Sequence, residues 1–297
     1  MVVVGASNLD IIARTNAPIV AHDSNRGTII KTPGGVARNI AENLGRLGIK
    51  PILLTALSDD ADGNYIKAIT EQSGVKVVAK LVSRLPTYIA VLDEKNDMVV
   101  GINDMESFDD FTVTPFKRCL KDATHIVVDL NVSSDVLDAL MNLKARLYVD
   151  GISTVKVKKI TPYLKLIDSI KLNYLELQAL TKQAVEDDDS LKLATQQVVD
   201  AGVKNVYVTH KDGVLWGTPE TMKYYPTIPV QVKNTTGAGD AFLAGVVYGD
   251  YSDQDPVVAG LSVAKYTLET LETVSQFISK ENIESLMGAY HHAYKNK

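Results

Sequence analysis

The segment Asn234-Thr235-Thr236-Gly237-Ala238-Gly239-Asp240 is the part of the chain best suited to chemistry. An apolar stretch, Ala241-Phe242-Leu243-Ala244-Gly245-Val246-Val247, follows it directly. Glycines and small residues let a backbone turn tightly and approach a ligand. The apolar stretch reads as a buried helix, which puts the glycines at its N-terminus. Free N–H groups there, with the positive end of the helix dipole, favour phosphate oxygens. Asp240 then falls in the first turn, where a carboxylate is readily ionised and can accept a proton from a substrate hydroxyl. Phosphoryl transfer needs mainly positioning and charge stabilisation, and this arrangement supplies both beside one base. Taken alone, a glycine-rich helix start capped by Asp240 is the more ordinary reading, so the rest of the chain must decide.

Other chemistries find little support. The sequence has no G-x-x-x-x-G-K-[ST] phosphate loop, no H-E-x-x-H, no C-x-x-C and no G-x-S-x-G. Cys119 is the single cysteine, so neither an intrachain disulfide nor a cysteine-based metal site can form. His291 and His292 sit in a polar C-terminal tail and are expected to be solvated.

The elements that must position Asp240 follow from hydrophobic periodicity. Val2–Val4, Ile52–Leu57, Ile126–Leu130, Leu147–Val149, Ile170–Leu172 and Val206–Val208 read as buried strands, with helical spacing between them, as in Val36, Ile40, Leu44 and Leu47. Such alternation predicts an α/β fold, a mostly parallel sheet covered by helices on both faces. Asn8, Asp10, Asn131, Asp150, Asn173 and Thr209 sit just past strands, where open α/β sheets bind ligands. Each alone is an ordinary cap or turn residue; together they suggest one crevice. Residues 87–92 and 98–102 flank a polar turn, and residues 11–32 look extended. These pieces, about 11–32 and 85–105, predict a small antiparallel sheet on a single domain spanning 1–297. It is either a lid over the site or an edge hairpin without that role. The run Glu186-Asp187-Asp188-Asp189 reads as a turn before a helix.

Bulk properties set the remaining bounds. At 297 residues, 45% hydrophobic and 23% charged, the composition is that of a globular protein. A net charge of -5 argues against nucleic acid or an anionic membrane as the main partner. No apolar run approaches the roughly 20 residues of a membrane span. The start, Met1-Val2-Val3-Val4-Gly5, lacks a basic leader and reads as a strand, so a cytoplasmic location is expected.

Several motifs together make a resemblance specific. Thr235-Thr236-Gly237-Ala238-Gly239-Asp240-Ala241-Phe242 resembles the C-terminal signature of the ribokinase-like (pfkB) carbohydrate and nucleoside kinases. Gly34-Gly35-Val36-Ala37-Arg38-Asn39 resembles their N-terminal signature, Lys171-Leu172-Asn173-Tyr174-Leu175-Glu176 their N-x-x-E element, and Val208-Thr209-His210-Lys211-Asp212-Gly213 their nucleotide loop. The motifs occur in the family's order and cover residues 5 to about 275.

The resemblance implies a three-layer α/β/α kinase with a β-sheet lid, using ATP and Mg2+. It implies Asp240 as the base and the N–H groups of Ala238 and Gly239, beside Gly237, as the anion hole. Asp10 and Asn39 would hold sugar hydroxyls, with Asn8, Gly34 and Gly35 beside them and Asn131 at the next strand end. Asn173 and Glu176 would meet magnesium through water, and no residue would ligate it directly. Thr209, Gly213 and Thr236 would contact ATP. Asn234 stands where the family often has Asp, which weakens any monovalent-cation site. His22 to Gly27, the Arg38-Asn39 pair, Thr87-Tyr88 and Asn103 to Glu106 resemble the pseudouridine kinases. On that resemblance the acceptor is the 5′-hydroxyl of pseudouridine, with Ser24, Asn25 and Thr87 reading base or ribose. Alternatives are a kinase of ribose, another nucleoside or a sugar phosphate, for which Arg26, Arg38 and Arg84 are available. A noncatalytic sensor on the same fold is the alternative of a different class. Related lids pair between subunits, which implies a homodimer.

Overall fold

The valine-, isoleucine- and leucine-rich runs form strands in the computed structural model, which describes residues 1–294. The first strands are β1 (Val2–Val4), β2 (Asn8–Thr15), β3 (Gly27–Gly34), β4 (Ile52–Ser58), β5 (Lys76–Val82), β6 (Thr87–Leu92) and β7 (Met98–Asp104). The later ones are β8 (His125–Asp129), β9 (Arg146–Asp150), β10 (Ser169–Asn173), β11 (Asn205–His210), β12 (Gly213–Gly217) and β13 (Met222–Pro226). Helices in the first half are α1 (Val36–Arg46), α2 (Ala61–Gln72), α3 (Glu106–Asp109), α4 (Lys117–Lys121) and α5 (Ser134–Met141). Those in the second half are α6 (Tyr174–Thr181), α7 (Asp188–Asp200), α8 (Ala238–Tyr251), α9 (Pro256–Leu268) and α10 (Lys280–Tyr294).

Nine strands make the main sheet, in the order β13-β12-β11-β10-β9-β8-β1-β4-β5. From β11 to β5 all pairs are parallel, and β12 and β13 add an antiparallel edge. The chain builds outward from β1 to β4 and β5, then returns to β8 on the other side of β1. That reversal opens a crevice at the carboxyl ends of β1 and β8.

Strand side chains alternate between two apolar layers, as a period of two requires. Val3, Val127, Tyr148 and Tyr207 pack toward α1, α2, α8, α9 and α10. Val2, Val4, Ile126, Val128, Leu147 and Val149 pack toward α3 to α7. Each fully buried aliphatic side chain contributes about 1.5–3 kcal/mol. Charged groups are therefore expensive in this interior unless they are paired. Asp129, Asp150, Lys171, Glu176 and Asp240 are nonetheless all buried.

The smaller sheet has the order β3-β2-β6-β7. Its hairpins β2–β3 and β6–β7 are antiparallel, joined through a parallel β2–β6 pair. It takes in residues 8–34 and 87–104, so Asn8 and Asp10 lie at the base of its central strand. His291 and His292 are exposed on α10, a helix where a tail was expected. Asp187 caps α7, as the acidic run foretold. No helix among the described residues is long and apolar enough to cross a membrane.

Candidate active site

Gly35 is the N-cap of α1 with φ 102°, and a Cβ there would collide with the Ala6 carbonyl oxygen. Only glycine suits both the left-handed conformation and the close approach. The turn brings the base of β2 and the end of β3 against the first turn of α1. Asn8 Nδ2 donates to Asp10 Oδ1 at 2.6 Å, and a side chain at Gly34 would strike the Asp10 carboxylate. Burial raises the Asp10 pKa, opposed by the Asn8 hydrogen bond and the Arg38 charge. Thr87 pairs with Leu9 in register and donates to Leu85 O at 3.0 Å, so it adjoins this group.

Across the crevice lies the N-terminus of α8. Gly237 has φ 82°, and a Cβ there would run into the carbonyl oxygen of Thr273. Asn234 laces the turn: its Oδ1 accepts from Thr236 N at 3.0 Å and its Nδ2 donates to Leu271 O at 3.1 Å. The Ala238 N–H makes a long 3.3 Å bond to Thr235 O. Among the described residues, no acceptor meets the N–H groups of Gly239 and Asp240. These are the orphan donors that an anion can satisfy. Asp240 sits in the first turn, buried, and its Oδ2 accepts from Asn39 Nδ2 at 2.7 Å. Its pKa is pushed up to about 7, first by burial and then by the nearby Asp150 carboxylate. The Asn39 hydrogen bond and the Lys171 charge hold it from rising further.

Three buried charges complete the site: Asp150, expected at the crevice as a strand-end residue, and Asp129 and Lys171, to which sequence reasoning gave no role there. Asp129, at the end of β8, accepts the N–H groups of Ala6 and Ala37, each at 3.0 Å on Oδ2, and of Asn131 at 2.9 Å on Oδ1. It ties the end of β1, the start of α1 and the end of β8 together, and burial raises its pKa. Asn131 Oδ1 in turn accepts from Lys156 Nζ, so the strand-end asparagine is anchored at both ends. Lys171 and Asp150 form a buried ion pair at 3.1 Å. Burial opposes the Lys171 charge, but the carboxylates of Asp150, Glu176 and Asp240 outweigh it and raise the pKa. A Cβ at Gly239 would lie 2.7 Å from Lys171 Nζ, which places the ammonium against the first turn of α8. A signal was available: Lys171 interrupts a short apolar strand, and a buried lysine needs a partner.

The residues expected to meet the nucleotide lie at the ends of β10 and β11. Asn173 caps α6 in a reciprocal box, with Oδ1 accepting from Glu176 N at 2.9 Å and Glu176 Oε2 accepting from Asn173 N at 2.9 Å. Burial raises the Glu176 pKa, countered by Lys171. Thr209 donates to Leu172 O at 3.3 Å and, with Gly213, opens a cavity of about 360 Å³. Val230, Val232, Leu261, Ala264 and Leu268 supply apolar walls, and Ala238 and Gly239 close its inner end. Such a slot has the apolar walls a planar base would need, and it opens toward the free N–H groups of the turn. Among the described residues, no group of three or more His, Cys, Asp or Glu could hold a metal ion. Asn173 Nδ2 also donates to Glu176 Oε1 at 2.7 Å, so the two side chains are committed to each other.

Two expected residues lie apart. Ser24 and Asn25 belong to the loop beyond Thr15 and Gly27, at the far end of the β2–β3 hairpin. Seven residues of strand separate that end from Asn8, a span of about 24 Å. Asn25 holds the loop itself, accepting from Val20 N at 2.8 Å and donating to Val20 O at 3.0 Å.

Comparison with known proteins agrees with this geometry. Residues 1–264 match the pfkB family carbohydrate kinases. A pseudouridine kinase of Escherichia coli (strain K12) is 33% identical over 264 residues, covering 83% of this chain and 82% of that protein. A pseudouridine kinase of Arabidopsis thaliana is 25% identical, covering 92% and 91%. The ribokinase of Arabidopsis thaliana, solved with ribose and ATP, shares the fold with a TM-score of 0.80 and 18% identity, covering 96% and 97%. A base candidate at a helix N-terminus, between a polar acceptor cluster and an apolar slot, is thus found in a chain that belongs to the pfkB family of carbohydrate kinases and phosphorylates a hydroxyl of a sugar or nucleoside.

Proposed function

We propose that this kinase transfers the γ-phosphoryl group of ATP to the 5′-hydroxyl of pseudouridine, giving pseudouridine 5′-phosphate. The observation that carries the chemistry is Asp240, buried beside orphan N–H groups and hydrogen-bonded to Asn39. The similarity to pseudouridine kinases supports the acceptor. Asn8, Asp10, Gly34, Gly35, Asn39 and Asn131 bind the ribose, and Thr87 lies where it meets the nucleoside. Asp240 takes the proton of the 5′-hydroxyl as its oxygen bonds to the γ-phosphorus and the bond to the β-phosphate oxygen breaks, releasing ADP. Gly237, Ala238 and Gly239 shape the turn whose N–H groups meet the transferred charge, and Lys171 adds a positive charge beneath it. Thr209, Gly213 and Thr236 hold the nucleotide. Asn173 and Glu176 would hold magnesium through water, and the ion would supply charge neutralisation to the ATP phosphates.

Ser24 and Asn25, at the far tip of the β2–β3 hairpin, reach the acceptor only if that hairpin bends over the crevice as a lid would. The exposed apolar residues Ile29, Ile30, Met98, Val99, Val100 and Ile102 of the smaller sheet support a homodimer. Sedimentation at micromolar concentration tests this, and a monomer there removes it.

The test of function is ATP- and magnesium-dependent phosphorylation of pseudouridine, uridine, cytidine, adenosine, ribose, fructose and fructose 6-phosphate. Turnover of pseudouridine well above the others supports the proposal. Preference for another acceptor keeps the role of Asp240 and discards the reading of Ser24, Asn25 and Thr87.

A further inference from the structure

Arg38 carries a full charge at 2% exposure, yet the reaction as described gives it no task. A buried guanidinium persists only where its donors are satisfied. Nε donates to Gly34 O at 3.1 Å and Nη1 to Glu42 Oε2 at 2.5 Å. Nη2 donates to Asn39 Oδ1, with Thr273 Oγ1 3.4 Å from the same nitrogen. Glu42 sits one helical turn below, and its other oxygen is held by Arg46 at 2.8 and 3.0 Å. The guanidinium is therefore fixed from behind, with Nη2 directed at Asn39 Oδ1 and, at longer range, Thr273 Oγ1.

Asn39 is the side chain touching Asp240. An amide has a donor end and an acceptor end of nearly the same shape, and its neighbours decide which way it points. If Asn39 turned its oxygen toward Asp240, two acceptors would face each other and the carboxylate would lose the one side-chain donor it has among the described residues. Thr273 Oγ1 also reaches Asn39 Oδ1, but at 3.4 Å and while equally close to Pro33 O. Arg38 is the strong donor on the acceptor end.

We propose that Arg38 is a positioning residue for the catalytic base. By donating to Asn39 Oδ1, it locks the amide so that Nδ2 faces Asp240 and holds that carboxylate ionised and oriented. The inference rests on reading Asp240 as the base. Its surroundings are consistent: Asp240 faces Asn39 on α1, Asp150 on β9, Lys171 on β10 and Asp129 on β8. Arg38 faces Glu42 on α1, Asp10 on β2 and Asp240 on α8. Its charge lies close enough to both acceptor-side carboxylates to favour their ionised forms.

The ionisation of Asp240 can be read directly. Infrared difference spectra of the full chain across pH 5–9.5 contain a carboxylate band that Asp240→Asn removes. In Arg38→Met the midpoint of that band is expected to rise by about one pH unit. Arg38→Lys, which keeps the charge without the fork, should shift it by less. In an Asn39→Ala background, Arg38→Met should add a clearly smaller shift, because the path through the amide is cut and only the direct effect of the charge remains. An unchanged midpoint in Arg38→Met overturns the proposal, as does an equal shift with and without Asn39. If Arg38→Met fails to fold, Arg38→Lys with and without Asn39 carries the same comparison. Turnover of pseudouridine with ATP separates the two readings. The acid limb of kcat should move with the band, and activity should recover above pH 9. A band that shifts while the limb stays put overturns Asp240 as the base and, with it, the catalytic purpose of the lock.

Discussion

Lowering the pH from 8 to 6 is expected to reduce kcat/KM for the acceptor by about ten-fold. Asp240 titrates at about 7 because burial and Asp150 disfavour its anion more than Asn39 and Lys171 favour it. A single group at that pKa is about nine-tenths ionised at pH 8 and about one-tenth at pH 6. Only the ionised form accepts the hydroxyl proton, so the rate follows that fraction. A carboxylate at the ordinary value of 3.8 would stay ionised throughout and leave the profile flat. The assay is ADP release at saturating ATP and magnesium with subsaturating acceptor, at constant ionic strength. Bound nucleotide adds negative charge beside Asp240, so the limb should lie at or above 7 in that state. A rate constant within two-fold between pH 6 and 8 would refute the assignment of the limb to Asp240.

The remaining expectations concern single sites. Asp240→Asn should lower kcat by about 10²–10⁴-fold while leaving ATP binding intact, as measured by calorimetry. The same change should stabilise the fold at pH 8 by a few kcal/mol on an order-of-magnitude basis. The folded pKa is raised, so the anion is disfavoured in the native state above about 7, and that penalty fades as the pH falls toward 3.8. Denaturant unfolding at pH 8 and pH 5 should therefore show a stability gap that narrows at the lower pH. Ala264→Phe fills the cavity between Leu261 and Leu268, so KM for ATP should rise about ten-fold or more while KM for the acceptor holds. Replacing potassium with tetramethylammonium should change kcat by less than two-fold. Asn234 is neutral, and its amide is engaged with Leu271 and Thr236.

The strands that local chemistry makes unambiguous were legible in the chain. Val2–Val4, Ile126–Val128 and Val206–Val208 are apolar on both faces, as a doubly covered parallel strand must be. β5 was not visible because at the sheet edge Lys76 and Lys80 break its apolar residues into the short runs Val77-Val78-Ala79 and Leu81-Val82. β12 and β13 escaped for a different reason: Val214-Leu215-Trp216 is a run of only three between glycines, and β13, Met222-Lys223-Tyr224-Tyr225-Pro226, is a polar and aromatic edge. The parallel β2–β6 pair could not be read because pairing between distant segments leaves no local signature.

The site divides in the same way. Gly35, Gly237 and the Asn173–Glu176 box are demands of local backbone geometry, so the sequence by itself determined where α1, α6 and α8 begin and which residues stand at their N-termini. It also placed Asp240 in a first turn next to free N–H groups. Only the tertiary structure decided what that carboxylate experiences. Asn39 comes from 201 residues away, and Asp150 and Lys171 come from neighbouring strands. Depth of burial, the sign of nearby charge and the direction of an amide depend on which segments meet in space. Nothing in the order of residues along α8 records them.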